Sequence, residues 1–444
     1  MHISLIRYHE FENVNTRLPE TINKAQGVVP PLGLLYLANN LGHHKVTVID
    51  AVLDNLTAEG LKQRLIEVSP DIVGITAMTP TIRGAFEAAR VAKELGIPVV
   101  LGGPHLSVYP LETLDKWGID YGIIGDGETP LHRLLDMLDS KDSYHIDGVI
   151  TKADMDPTPF TETNLDDLRD VDWASVDLNR YNSIAGEGKN CTIIASRGCP
   201  FKCGFCFNDR RKVRFRNPSR VVAEARLLKK LGVDELLFYD DNVTLKKSYV
   251  EELCSGLKPL NIKWSGPSRI DTVTPRILTL MKDSGCHMLR FGVESGSDKI
   301  LKLMNKGTTK DAVALTFHWA ELAGLSTFAY FIIGYATETP ETMQETIDFA
   351  IELNPDLVMF TTATPLPGTD LNRYASDPDY WLKYMNGETD ERASFLVPEA
   401  DKWTSKAYKE FYLRPGYVWK RLKSIRTIDD VSKNIKGALG VLRV

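Results

Sequence analysis

The feature that most constrains this chain is an alternation of short apolar strands with helix-patterned segments, repeated in two blocks of different spacing. In the first block, His2–Arg7, Lys45–Asp50 (KVTVID), Asp71–Met78 (DIVGITAM), Ile97–Leu101 (IPVVL) and Asp120–Ile124 read as strands. Pro31–Asn40, Thr57–Val68, Arg83–Leu95 and Leu111–Trp117 have helical spacing, and a further helix follows Glu128 to about Asp139. Gly42, Pro70 and Gly96 punctuate the ends. Five βα units with short loops predict an α/β domain over 1–150, a doubly wound parallel sheet that takes ligands at the carboxyl ends of its strands.

Residues 151–188 are rich in Asp, Thr and Pro without a sustained period, and read as a linker or strap. The alternation then resumes at larger spacing, with strands at 191–196, 234–239, 262–270, 288–294, 326–333 and 356–363 and helices between them. Six units are too few for an eight-stranded barrel. They predict an open partial barrel, (βα)6, over 189–375, with its chemistry at the carboxyl strand ends. Residues 376–444 are aromatic and basic (Trp381, Tyr384, Trp403, Tyr408, Phe411, Tyr412, Tyr417, Trp419, then Lys420, Arg421, Lys423 and Arg426). They read as a small helical cap packed on the barrel or as a substrate lid; a peripheral membrane contact is a weaker third reading.

Length agrees, since 444 residues exceed one ordinary core. A net charge of −6 argues against broad electrostatic binding to nucleic acid. The amino terminus lacks a signal-peptide layout and no stretch is long and apolar enough to span a bilayer, so the expected location is the cytoplasm.

Six cysteines are no disulfide framework in a chain this long. Three of them, Cys199, Cys203 and Cys206, fall in Gly198-Cys-Pro-Phe-Lys-Cys-Gly-Phe-Cys-Phe207, directly after the first barrel strand. A zinc site would want a fourth Cys or His at ligand spacing, and Phe207-Asn-Asp-Arg-Arg211 supplies none. Three thiolates instead hold three irons of a [4Fe–4S] cluster and leave the fourth open. An open iron calls for a reducing, anaerobic setting. Cys191, Cys254 and Cys286, scattered among apolar residues, read as buried inert thiols.

With that C-x3-C-xΦ-C loop, residues 191–370 resemble the radical SAM superfamily. The resemblance implies that the open iron chelates S-adenosylmethionine, that the cluster is reduced by a donor such as flavodoxin or ferredoxin, and that a 5′-deoxyadenosyl radical takes hydrogen from an unactivated carbon. Phe205 resembles the aromatic near the adenine. Asp240-Asp241-Asn242 stands where many members contact the methionine amino group; a helix N-cap is the structural alternative. Arg269, ending the third strand, is placed for a carboxylate partner or is an exposed arginine. Glu294, ending the fourth, resembles the residue that binds the ribose hydroxyls. Gly334 matches a late-strand turn near the adenine.

A Rossmann-like domain ahead of such a core resembles the cobalamin-binding domain of class B radical SAM enzymes. The matching stretches are Pro30–Ala38, Gly74–Thr79 with Thr76, Met78 and Thr79, the Gly102-Gly103-Pro-His105 turn, and Gly125-Asp-Gly127-Glu128. Tight βα turns and a satisfied loop histidine are the structural alternatives. No histidine has Asp two residues before it, so the Asp-x-His-x-x-Gly motif that ligates cobalt is absent. A dinucleotide domain is the competing reading, and Tyr8-His-Glu-Phe11 in place of a G-x-G-x-x-G turn counts against it.

The resemblance therefore implies a cobalamin-dependent methyltransferase acting on an unactivated carbon. The alternative is a cyclase or oxidase like the anaerobic magnesium-protoporphyrin cyclase. A cofactor carrier with a structural cluster is disfavoured by the triplet, Phe205 and Glu294 together. Methylthiolation of tRNA is set aside because residues 1–190 hold no cysteine. The aromatic carboxyl-terminal segment points toward a large, flat or greasy substrate such as a tetrapyrrole, polycyclic lipid or peptide side chain, and the expected partner is a small-molecule, lipid or tetrapyrrole substrate.

Overall fold

The computed structural model describes residues 1–8, 27–154, 156–183, 188–207, 212–389 and 396–424. Residues 9–11 after the first strand, 208–211 beyond the cysteines and Arg426 lie outside the described residues.

β1 (His2–Arg7) has four consecutive buried positions, as a strand covered on both faces must. It pairs in parallel with β2 (Lys45–Asp50) and β3 (Ile72–Thr76). β4 (Val99–Gly102) and β5 (Tyr121–Ile123) continue in parallel, and β6 (Val149–Ile150) adds an antiparallel edge. The order β2-β1-β3-β4-β5-β6 reverses its winding between β1 and β3, where a doubly wound sheet opens a crevice at its carboxyl ends. One face is covered by α1 (Leu32–Asn39) and α5 (Glu128–Ser140), the other by α2 (Ala58–Val68), α3 (Ile82–Glu94) and α4 (Pro110–Lys116). The five predicted units are present; the antiparallel β6 is additional.

The described residues between 151 and 183 form a strap rather than a free linker. Asn164, Asp172 and Asp177 each accept the N–H two residues on and open a short 3-10 turn. That local bonding accounts for the Asp-rich composition. Trp173 is fully buried, and its indole N–H donates to Glu224 on the barrel at 2.6 Å.

β7 (Asn190–Ile193), β8 (Glu235–Phe238), β9 (Lys263–Ser268), β10 (Cys286–Glu294), β11 (Ser326–Ile333) and β12 (Leu357–Thr362) form a second sheet, all parallel and in chain order. β7 and β12 are its two edges, so the barrel stays open. α6 (Pro218–Lys230), α7 (Lys247–Leu257), α8 (Pro275–Asp283), the short α9 (Asp298–Leu303), α10 (Lys310–Leu322) and α11 (Pro340–Leu353) connect the strands. Asn217, Thr274, Thr309 and Thr339 cap α6, α8, α10 and α11 through their side chains.

The carboxyl-terminal segment divides. α12 (Tyr380–Asn386) joins the core of the first domain through Tyr380, Trp381, Tyr384 and Met385. α13 (Ala400–Tyr412) covers edge strand β12, where the Tyr412 and Tyr408 hydroxyls accept the N–H groups of Val358 at 2.9 Å and Phe360 at 3.2 Å. Unpaired edge donors are thereby satisfied without another strand. α14 (Pro415–Ser424) follows. Aromatics expected to touch substrate are thus largely spent on packing.

Candidate active site

Ser196–Arg197 and Arg214–Phe215 pair antiparallel just beyond β7, and the cysteines lie on the excursion between these two stems. Cys199 and Cys203 are half-buried and Cys206 is exposed. The tip is pinned from the far side of the barrel. Gly204 N–H donates to the Met304 carbonyl, Leu371 N–H donates to the Gly204 carbonyl, both at 2.8 Å, and the Asn305 amide donates to the Lys202 carbonyl at 2.7 Å. Gly204 makes room for the Tyr335 hydroxyl, which a Cβ there would approach to 2.8 Å. The sulfurs do not converge within 4.8 Å of one another, as ligands of a single ion would; a cubane places each on its own iron. A bound iron would hold these thiols as thiolates, since a ligating thiol is deprotonated.

Arg269 is buried beside this loop. One Nη lies 3.4 Å from Cys203 Sγ, and the guanidinium sits 3.6 Å above the Phe201 ring. Asp271 takes two of its donors at 2.9 and 2.8 Å, and the Lys306 carbonyl takes another at 2.6 Å. Arg269 is therefore neither an exposed arginine nor an unspent partner for a bound carboxylate. It supplies fixed positive charge next to Cys203 Sγ.

Asp240 also departs from expectation. Its fully buried carboxylate accepts the Ala195 N–H at 3.0 Å and the Ser196 hydroxyl at 2.6 Å, so it anchors the stem that enters the cysteine loop instead of facing a cofactor amine. Burial pushes this carboxyl up to about 6, against the pull of those donors. Asp241, exposed at the strand end, accepts the Gly198 N–H at 3.0 Å. Asn242 accepts from the Thr244 N–H and hydroxyl in a local turn; the helix that follows begins at Lys247 with Lys246 at its N-cap, so the N-cap alternative does not hold.

Glu294 adopts a left-handed backbone (φ 73°) at a register shift between β10 and β11. Such strain in a non-glycine residue persists only where the surroundings enforce it, and it clusters at functional sites. Its carboxylate pairs with buried Lys306 at 2.7 Å, and Lys306 Nζ stands 5.8 Å from the Phe205 ring centre. Gly292 makes room for the pair, since a Cβ there would lie 2.3 Å from the Glu294 carboxylate. Lys306 was invisible in the sequence: nothing local marks a lysine whose partner is on another element. Gly334 is explained by packing, because a Cβ would come 2.4 Å from Ala400 of α13.

In the first domain Thr76 and Met78 are exposed at the carboxyl end of β3, beside the crevice. Gly103 (φ 104°) is required there by close approach, a Cβ falling 2.5 Å from the Ala77 carbonyl, whereas a Cβ on Gly102 would meet nothing nearer than 4.0 Å. His105 is fully buried, with its ring nitrogens 3.2 Å from the Thr79 hydroxyl and 3.3 Å from Met385 Sδ. Burial pushes its imidazole down to about 3. His105 and buried Thr79 thus pin α12 to the sheet and do not present themselves to a cofactor.

The Gly125–Glu128 turn is likewise reassigned. Gly125 (φ 95°) lies tight against the Phe160 carbonyl, and a Cβ on Gly127 would meet Leu37 at 3.1 Å. Glu128 takes Arg197 through both Nη atoms at 3.2 and 2.5 Å, and Asp126 takes Arg197 at 3.3 Å. Arg214 bonds Asp126 as well, and the Glu162 carbonyl at 2.7 Å. The first domain therefore grips both stems of the cysteine loop. Tyr36 of α1 lies beneath, 5.5 Å from the Arg197 guanidinium.

Family comparisons agree with this architecture. The model described as the radical SAM superfamily matches residues 193–350, and the B12 binding domain model matches 21–135. An uncharacterized methyltransferase of Pyrococcus horikoshii is 33% identical over 90% of this chain and 92% of its own. The chain belongs to the radical SAM superfamily, in its B12-binding branch. The enzyme is also 30% identical to the anaerobic magnesium-protoporphyrin IX monomethyl ester cyclase of Rubrivivax gelatinosus, over 78% of this chain and 66% of that protein. The radical S-adenosylmethionine methyltransferase TsrM from Kitasatospora setae, solved with cobalamin and a [4Fe–4S] cluster, shares its fold: TM-score 0.68, 19% identity, 83% of this chain and 76% of the other. OxsB, solved with aqua-cobalamin and S-adenosylmethionine, aligns over 99% of this chain and 72% of its own at 16% identity and a TM-score of 0.72. The cofactors of the branch are the cluster, S-adenosylmethionine and cobalamin. Among the described residues no helix is long and apolar enough to cross a membrane.

Proposed function

We propose that this enzyme methylates an unactivated carbon, with Cys199, Cys203 and Cys206 holding the cluster and the crevice at Thr76, Met78, Gly102 and Gly103 receiving cobalamin. The observation that carries the reading is the Asp126–Glu128 clamp on Arg197 and Arg214, which brings the carboxyl ends of the first sheet against the stems of the cysteine loop. When bound, the cluster supplies an electron to S-adenosylmethionine and methylcobalamin supplies the methyl group. The protein's own part is placement. Glu294 offers a carboxylate to the ribose hydroxyls, Lys306 offers a cation to the methionine carboxylate, and Phe205 lies beside them for the adenine. Asp241 stands at the strand end for the amino group. His105, buried on Thr79 and Met385, does not offer its ring to the crevice. The setting is cytoplasmic and reducing, with a small electron-transfer protein as the donor.

Similarity to the cyclase supports a second reading, ring closure or oxidation without methyl transfer. Anaerobic reconstitution with cobalamin and methyl-labelled S-adenosylmethionine separates the two. Methyl transfer predicts deoxyadenosine, S-adenosylhomocysteine and a labelled product heavier by one CH2. Deoxyadenosine with an unlabelled, oxidised product would sink it. Cys203→Ala should abolish the cluster's visible absorbance; retention would overturn the cluster assignment.

A further inference from the structure

The inner wall of the barrel carries an arginine that no acidic side chain neutralises. On β10, β11 and β12 every second residue is buried beneath the helices: Phe291 and Val293, Ala329 and Phe331, Val358 and Phe360. Residues between them, among them Arg290, Phe328 and Tyr330, therefore face the hollow. One Arg290 Nη donates to the Phe238 carbonyl at 2.8 Å. Its Nε–H is buried without a partner, and no carboxylate among the described residues pairs with it. Glu294, four residues on, is already held by Lys306. The other deep arginines differ: Arg197, Arg214, Arg216 and Arg269 each meet a carboxylate.

The surroundings are aromatic. Arg290 lies 5.9 Å from the ring centre of Tyr239, which is 51% exposed, and the Phe328 and Tyr330 rings are 4.7 Å apart. The β10–β11 register sets Arg290 opposite Phe328 and Gly292 opposite Tyr330, so the guanidinium and both rings lie on one stretch of the inner wall. A cation with an unmade hydrogen bond, drawn partly out of water, is costly until an anion arrives. Guanidinium geometry matches a planar carboxylate.

We infer that Arg290 receives a carboxylate of the substrate, whose flat unsaturated body lies against Tyr239, Phe328 and Tyr330. This rests on the reading of the barrel hollow as the reaction chamber. The same anion chemistry could come from the carboxylate of S-adenosylmethionine, and the test separates the two sources.

The test titrates reconstituted holoenzyme with 2-naphthoate and with 2-naphthamide, of the same shape without charge, by ligand-observed saturation-transfer NMR. The acid is expected to bind at least about tenfold more tightly than the amide. Arg290→Met should remove that preference, Arg290→Lys should restore part of it, and saturating S-adenosylmethionine should leave it unchanged. Equal affinity of acid and amide for the wild type would overturn the inference, whether or not the variants fold. So would a preference that survives in Arg290→Met, or displacement of naphthoate by S-adenosylmethionine. Binding here needs no turnover, so the result is independent of whether methyl transfer occurs.

Discussion

Glu128→Gln probes the clamp between the domains. Asp126, Glu128, Arg197 and Arg214 form a buried set with two charges of each sign. Replacing Glu128 leaves one positive charge unmatched where side-chain exposures are 5% for Glu128 and 19% for Arg197. Removing one partner of a buried pair costs about 3–5 kcal/mol. Glutamine keeps a hydrogen bond, so the lower end, about 3 kcal/mol, is expected, a fall in Tm of about 6–12 °C for a domain of this size. Arg197→Met leaves one negative charge unmatched and should cost a similar amount. The double variant restores balance through Asp126 and Arg214 and should be more stable than the sum of the singles by at least about 1.5 kcal/mol. Anaerobic melts of the four proteins measure that coupling. Because Arg197 immediately precedes Gly198-Cys199, the electron paramagnetic resonance spectrum of the reduced cluster should also shift in each single variant and move back in the double. Additivity within about 0.5 kcal/mol, with unchanged spectra, would refute the clamp as a positioning device.

Lys306→Met strands a buried carboxylate and removes a cation from the site, so the affinity for S-adenosylmethionine should fall by about tenfold or more, with partial rescue in Lys306→Arg; calorimetry on the reconstituted enzyme reads it. His105 makes stability pH-dependent. Its folded-state value of about 3 lies below the unfolded 6.5, so the unfolded chain alone takes up the proton as pH falls below 6.5, and stability is lost on the acid side. Between pH 7.5 and pH 5 the wild type should lose about 2 kcal/mol more than His105→Asn, and parallel pH profiles would contradict this. Tyr412→Phe leaves the Val358 N–H on the barrel edge without its acceptor, which should cost about 1–3 kcal/mol and speed amide exchange at Val358.

Periodicity carried most of the fold in the sequence. Apolar runs at Asp71–Met78 and Ile97–Leu101, closed by glycine turns, could be little else but buried parallel strands, and the barrel strands were placed to within a few residues. The cysteine triplet was legible because its ligands are close in sequence. What stayed hidden was long-range pairing. Glu128 looked like part of a glycine-rich cofactor turn because its partner Arg197 lies far along the chain. His105 ended a strand next to glycines, where ligands bind, and only the distant Met385 reveals it as a core residue. Arg269 and Asp240 sat at the expected strand ends, but neighbours supplied by other elements consume their bonding capacity. Lys306 and Arg290 carried no local signal, one defined by its partner and the other by the lack of one.

The cysteine loop owes its shape to contacts on three sides. Its stems are gripped by Asp126 and Glu128 from the first domain and by Asp240 from β8. Its tip is tied to Met304 and Asn305 after α9 and to Leu371 beyond β12. Arg269 presses on its middle from the end of β9. The described contacts of the loop come from both domains, so its geometry depends on both being docked. Cluster position and domain docking are then one equilibrium, and whatever loosens the interface should alter the cluster before it unfolds the barrel. That order of events follows from where the bonds are: the barrel core is a single apolar cluster that runs beneath its helices, whereas the loop is held by a few polar contacts, each supplied from a different part of the chain.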